Sequence, residues 1–240
     1  MSKKRPPLPR FFRANKAPAI RLQQRDIDLM KSIQEFGGFM TRRQIQLLFW
    51  PNNSHQAMQL RLSKLFHNSY LNWPDEGQRK SQLIPEPIVW LDWKGIITLA
   101  EIQGLGVSAP KRTNENQLRL LQRRLHERDL RWLRQPNWSL LQHDVAVGNF
   151  HLQVMTSAIQ HPKLRLDHWI SESHFRSKSK QIRFSYRNNS GQWRSRKKAV
   201  IPDSCFELID EERKNRGDAY KARFLVELDM ATHENSRFGV

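Results

Sequence analysis

The stretch TRRQIQLLFWPNNSHQAMQLRLSKLFHN, residues 41–68, decides the fold. Thr41 and Gln44 have the spacing of a capping box, in which each side chain satisfies the other's backbone N–H. Ile45, Leu48 and Phe49 follow at helical spacing as an apolar stripe. Trp50-Pro51 ends this helix, because a residue before proline is pushed out of the α region. Ser54 can cap a second helix, whose core face is Met58, Leu62, Leu65 and Phe66. At about 100° per residue, the opposite face carries Gln56, Gln59, Leu60, Ser63 and Lys64.

Outward from this pair the pattern continues. Upstream, Leu29, Ile33 and Phe36 mark a helix that the Gly37-Gly38 pair stops. Downstream, YLNW (70–73) reads as a strand and PDEGQRKSQLIPEP (74–87) as a long polar turn. IVWLDW (88–93) reads as a returning strand, and KGIITLAEIQGLG (94–106) as a short helix. Three helices followed by a two-stranded wing is the winged-helix order, a helix-turn-helix variant whose third helix enters the major groove. The candidate DNA-binding residues are Arg42, Arg43, Ser54, Gln56, Gln59, Arg61, Ser63, Lys64, Arg79 and Lys80. Glutamine can read adenine edges, and lysine can reach guanine or phosphate.

Composition agrees with such a partner. The 240 residues carry 41 Lys and Arg against 23 acids, a formal charge of +18, which raises nucleic acid first and anionic membrane second. No apolar run is long enough to span a bilayer, and the basic N-terminus lacks the apolar core of a secretory signal. The single cysteine, Cys205, excludes an internal disulfide and a Cys-rich zinc site. The nine histidines show no HExxH spacing. A cytoplasmic, nucleoid-associated protein is expected. Residues 1–21 read as a flexible basic arm and 22–104 as the winged helix. Residues 105–136 read as a linker and Arg-rich helix with a Leu118, Leu121, Leu125, Trp132 seam, and 137–240 as an α+β domain.

That last domain opens on a long helix, WSLLQHDVAVGNFHLQVMTSAIQ (138–160), followed by KLRLDHWISE (163–172), which alternates as a strand. KQIRFSYRNNSGQWRSRKKA (180–199) reads as a hairpin turning at 188–191, with a basic run at 194–198. VIPDSCFELI (200–209) and RFLVELDM (223–230) are two acidic strands. Pairing about a turn centred near residue 216 places Asp203 opposite Asp229, with Glu227 one diagonal step away on the same face. Carboxylates so placed need a neutraliser. Mg²⁺ or Mn²⁺ would serve, an arginine would serve, or the acids are simply the polar face of a sheet.

Read in order, LQQRDIDLMKSIQEFGGFMTRRQIQLLFWP, LRLSKLFHNSYL, LQHDVAVGNFHL, WISE, IPD and FLVELDMAT resemble the replication-relaxation family of plasmids and mobile elements, over roughly residues 22–234. The resemblance implies a winged helix followed by a domain similar to the PD-(D/E)XK nuclease core. In that pattern Asp203 and Glu227 match the metal-binding acids, while Asp229 stands where the assisting lysine would be. His143 and Glu172 match polar positions on the preceding helix and strand, and Thr232 matches a threonine after the acidic strand. Met230-Ala231 replaces the family's Arg-Gly, and the family continues with another helix and strand where this sequence stops at Val240. The core is therefore expected to be incomplete at its C-terminus.

The fold class expected is α+β: a winged helix-turn-helix and a PD-(D/E)XK-like α/β domain. The function expected is recognition of double-stranded DNA by a plasmid or mobile-element protein, in replication initiation or DNA processing. The alternatives are a transcriptional regulator or a metal-dependent endonuclease using Asp203, Glu227 and Asp229, with Mg²⁺ or Mn²⁺ held by Asp203 and Glu227. The missing lysine favours a binding module over an enzyme. A second copy of the chain and replication proteins of the element are the further partners expected.

Overall fold

The computed structural model describes residues 8–52, 54–81, 86–172, 175, 181–187, 190–199 and 201–230. The chain divides into two compact units, Met1–Leu141 and Gln142–Val240.

In the first unit, helix α1 (Gln24–Glu35) buries Leu29, Met30 and Ile33. A short strand β1 (Phe39–Thr41) leads directly into α2 (Arg42–Phe49). The capping box expected at Thr41 is present: Gln44 N donates to Thr41 Oγ1 at 3.1 Å and Thr41 N donates to Gln44 Oε1 at 2.8 Å. Helix α3 (His55–His67) starts at Ser54, whose hydroxyl accepts from Ala57 N at 3.3 Å. Its Met58, Leu62, Leu65 and Phe66 are buried, as the helical spacing required.

The wing differs from the two-stranded expectation. Strand β3 (Ile88–Leu91) is central, pairing antiparallel with β1 on one side and with β2 (Leu71–Asn72) on the other. The stretch read as a long polar turn contains helix α4 (Glu76–Ser81), capped by Asp75, whose Oδ1 accepts from Gln78 N at 2.7 Å. Helix α5 (Trp93–Ile102) follows, capped by Asp92. Gly95 of α5 lies against the chain before β2; a Cβ there would sit 2.2 Å from the Tyr70 carbonyl oxygen.

Two segments read as loosely attached are packed into this unit. Residues 8–21 of the arm pack against it: Arg13 pairs with Asp92 and lies over the Phe66 ring, Ala14 N donates to His67 Nδ1, and Trp73 Nε1 donates to the Arg10 carbonyl. Aromatic and ion-pair anchoring outweighs the arm's polar composition. Helix α6 (Glu115–His126) likewise buries Leu121 and Leu125, and Trp132 beyond it is buried with its Nε1 donating to the Leu91 carbonyl at 3.0 Å.

The first unit ends in a 3-10 turn (Trp138–Leu140) that runs into α7 (Leu141–Gln160), the helix with which the second unit begins. Strands β4 (Leu164–Ser171), β7 (Ser204–Asp210) and β8 (Lys221–Val226) form an antiparallel sheet in the order β4-β7-β8. Helix α8 (Glu211–Arg216) connects β7 to β8. Strands β5 (Gln181–Arg187) and β6 (Trp193–Ala199) form the separate hairpin that alternation predicted. Residues 188–189 of its turn, and the side chains of 196–198 in the basic run, lie outside the described residues.

Alternation gives the β4-β7-β8 sheet two unlike faces. Trp169, Phe206 and Phe224 stack in a row on one face, with centroids 5.5 and 4.9 Å apart. Phe150 and His151 of α7 pack against this aromatic face, His151 stacked on Trp169 at 3.9 Å. His168, Glu207, Lys221 and Arg223 lie on the other face, which is charged. The chain is thus a winged-helix-like unit followed by a PD-(D/E)XK-like α/β unit.

Candidate nucleic-acid interface and metal centre

In the first unit the residues predicted to meet DNA separate into three groups. Gln56, Gln59, Leu60 and Lys64 are exposed along one side of α3, opposite its buried stripe, and Ser63 is half-buried beside them. Gln59 Nε2 contacts the His55 ring at 3.0 Å, which holds its amide against the first turn. Ser54 caps the same turn, and Arg43 and Lys80 are exposed. Lys80 is in an exposed i,i+4 pair with Glu76 at 2.7 Å, worth little in water.

Arg61 is not available in the same way. Its guanidinium grips the fully buried Asp26 of α1: Nε donates to Oδ1 at 2.8 Å, and Nη2 donates to Oδ2 and to the Arg21 carbonyl. Hydrogen bonding to Asp26 holds its pKa above the ordinary value. Arg61 was expected among the DNA-binding residues, and the missed signal was Asp26, an acid in an otherwise apolar helix face. Arg42 and Arg79 form the third group, half-buried beside Trp73.

In the second unit the acids fall into two clusters. Asp203 sits just before β7, and its register differs from the expected one. Ser204 pairs with Val226, so Asp203 faces residue 227, not 229. The reason is the connection: Asp210 caps α8 and Gly217 ends it at φ +78°, which centres the turn on residue 215. Asp203 N donates to the Val226 carbonyl at 3.0 Å and Leu228 N donates to Asp203 Oδ2 at 2.7 Å, so this carboxylate caps the end of β8. Glu227 and Asp229 lie beyond the strand and are exposed. Thr232 lies outside the described residues.

The residues that meet Asp203 come from α7 and β4. His143 Nε2 is 3.1 Å from Asp203 Oδ2, and its Nδ1 is 3.4 Å from Asp144 Oδ1. Glu172 N donates to the Asp203 carbonyl at 2.9 Å. Burial opposes the charge on His143, but Asp144 and Asp203 outweigh it and its pKa rises. Burial raises Asp144, and Glu172 and Asp203 add repulsion that His143 offsets. His143 and Glu172, placed with Asp203 by the family pattern, are thus neighbours in space.

The second cluster was not anticipated. A β-bulge between Leu166 and His168 leaves Asp167 unpaired in the ladder, so Asp167 and His168 both reach Glu207 of β7. One ligand atom from each of Asp167, His168 and Glu207 lies within 4.8 Å of the others, a set able to coordinate a divalent ion such as Mg²⁺ or Mn²⁺. The imidazole suits Mn²⁺ better than Mg²⁺. The donor set fits an ion, but cations already surround it. Lys221 lies 3.1 Å from Glu207 and 3.3 Å from Asp167, Arg165 is 2.8 Å from Asp167, and Arg223 pairs with Glu207. Hydrogen bonds from Arg165, and then Lys221 and His168, hold Asp167 down to about 2. A bulge leaves no mark in a sequence, and this is why alternation alone could not bring these residues together.

Among the described residues, no helix is long and apolar enough to cross a membrane. The profile of the replication-relaxation family matches residues 30–239, which spans both units. A search of curated proteins finds no match to the chain. The winged-helix-like unit, the acid-bearing sheet and this match agree: the chain belongs to the replication-relaxation family, with a role in replication or DNA processing of plasmids and mobile elements.

Proposed function

We propose that the first unit binds duplex DNA, with α3 in the major groove. The observation that supports this most is the division of α3. One face is completely buried, and the other exposes Gln56, Gln59 and Lys64 on a helix that contains no acidic residue. Gln56 and Gln59 offer amides that can pair bidentately with adenine, and Lys64 a cation for guanine or phosphate. The net charge of +18 supplies the sequence-independent attraction. Arg43 and Lys80 add phosphate contacts, whereas Arg61 serves the core. The test is duplex binding against salt. A linear fall of log affinity with log salt is expected, together with loss of sequence preference in Gln59→Ala. An affinity nearly flat in salt would refute the reading.

A second reading, metal-dependent nicking near the bound site, is favoured by the acid clusters of the second unit. A divalent ion would supply an activated water and charge for the phosphate. In the Asp167 cluster, Asp167, His168 and Glu207 would hold it and Arg165 would orient Asp167; in the other, Asp203 would be a ligand with His143 beside it to carry a proton. Supercoiled plasmid incubated with Mn²⁺ distinguishes them: Glu207→Gln abolishes nicking if the first cluster acts, and Asp203→Asn if the second does. Intact plasmid throughout, with DNA binding preserved, leaves a binding protein alone.

A further inference from the structure

Where the arm, the start of α2 and the wing meet, a pocket is lined by Arg10, Phe11, Arg42, Trp73, Pro74, Arg79, Pro87 and Ile88. It is a shallow cleft that opens to solvent. Three of its lining residues are arginines, and among the described residues none of the three has a carboxylate within ion-pair distance. The nearby Asp75 spends an oxygen on the Gln78 amide as the cap of α4. Arg42 Nε is buried and has no hydrogen-bond partner. Burial first, and then the neighbouring Arg79 and Arg10, lower the Arg42 pKa.

The walls of the pocket are fixed. Trp73 stacks on Phe66 at 3.9 Å and carries the Arg42 guanidinium 5.2 Å from its ring centroid. Its Nε1 donates to the Arg10 carbonyl at 3.0 Å, which holds the arm at the pocket. Arg42 N donates to the Pro87 carbonyl at 2.8 Å, which ties α2 to the wing. Like charges assembled on a rigid frame, with a buried donor left unused, cost free energy unless an anion completes them. Guanidinium forks match the geometry of phosphate oxygens.

We propose that Arg10, Arg42 and Arg79 form a binding pocket for one phosphate of the DNA backbone, which clamps the duplex beside α3. The proposal rests on duplex binding by the first unit. It gives the ordered arm a use, since Arg10 reaches the pocket only because the arm is folded back. It also assigns the wing a positioning role rather than a reading one, because a phosphate contact carries no sequence information.

The test uses the full chain and the variants Arg79→Gln and Arg10→Gln, which lie at the rim and leave Trp73 and Arg42 packed. Each is expected to bind duplex about tenfold more weakly at low salt, equally for all sequences. Each also lowers the slope of log affinity against log salt by about 0.9. A scan of single neutral methylphosphonates along the duplex then locates the contact. At one backbone position the wild-type chain loses affinity and Arg79→Gln loses no more.

Losses that add at every position overturn the pocket. So does a pocket that takes inorganic phosphate in calorimetry while Arg79→Gln leaves duplex affinity unchanged, which would make it a free-anion site. Failure of the wild-type chain to bind any duplex sinks both this proposal and the reading beneath it. Binding that is intact but insensitive to Arg10 and Arg79 sinks the pocket alone.

Discussion

Replacing Arg61 by leucine should destabilise the first unit rather than merely weaken DNA binding. Asp26 is fully buried, and the side chain of Arg61 is only 16% exposed. The carboxylate accepts from Arg61 Nε, from Arg61 Nη2 and from Gln23 N, so Arg61 supplies two of three donors and the compensating charge. Without it Asp26 remains buried with one amide. Leaving one member of a buried pair unmatched costs about 3–5 kcal/mol. For a unit of this size that lowers the melting temperature by roughly 10–15 °C. Urea unfolding followed by tryptophan fluorescence isolates the effect, because Trp50, Trp73, Trp90, Trp93, Trp132 and Trp138 all lie in the first unit, against Trp169 and Trp193 in the second. The double variant Asp26→Leu/Arg61→Leu removes the stranded charge and should recover most of the loss, a coupling of about 2–4 kcal/mol. The reasoning is refuted if Arg61→Leu costs under about 1 kcal/mol while the salt slope of duplex binding falls by about 0.9.

Two further outcomes follow from single contacts. Gly95→Ala, which in an open helix stabilises by about 1 kcal/mol, should instead cost about 1–3 kcal/mol, because its Cβ would meet the Tyr70 carbonyl oxygen at 2.2 Å; thermal melts of the two proteins give the sign directly. His151 is buried against Trp169, and burial pushes its imidazole down to about 3. Between that value and the ordinary 6.5 the unfolded chain binds a proton that the folded chain refuses, so stability falls as pH drops through this window. The loss is about 1.4 kcal/mol per pH unit, and His151→Phe should flatten it in circular-dichroism melts of the second unit taken at pH 7 and about pH 5.

The first unit was legible where local rules and burial agree. The Thr41–Gln44 capping box, the Ser54 cap and the Met58, Leu62, Leu65, Phe66 stripe all depend on spacing along one helix. What spacing cannot carry is pairing across the chain. The three residues of β1 join the wing only because Ile88 returns opposite Thr41. The arm reads as polar tail, yet Arg13 reaches Asp92, 79 residues away. Arg61 shows the same limit from the other side. Its charge suited a DNA contact, and only the placement of α1 reveals that Asp26 claims it.

The acidic strands show what an error of register does and does not change. The observed pairing differs from the expected one by an even shift, because the sum of paired positions is 430 for Ser204 and Val226 rather than 432. An even shift preserves the face on which each side chain lies and changes only its opposite number. Asp203, Glu227 and Asp229 all lie just outside the paired residues of β7 and β8, so the ladder itself does not bring the three acids together. The missing lysine and the displaced Asp229 then leave Asp203 to be organised from elsewhere. His143 does so from α7, and the Leu228 amide from the chain after β8. The other cluster inverts these conditions. Glu207 lies mid-strand in a paired ladder, so its position is fixed, but Lys221 and Arg223 on the neighbouring strand already balance its charge. A divalent ion entering there must displace Lys221 and Arg223 from Glu207, whereas one entering at Asp203 competes with the His143 ring and the Leu228 amide. Among the described residues, order favours the first cluster and unspent charge favours the second, which is why the comparison of Glu207→Gln with Asp203→Asn decides between them.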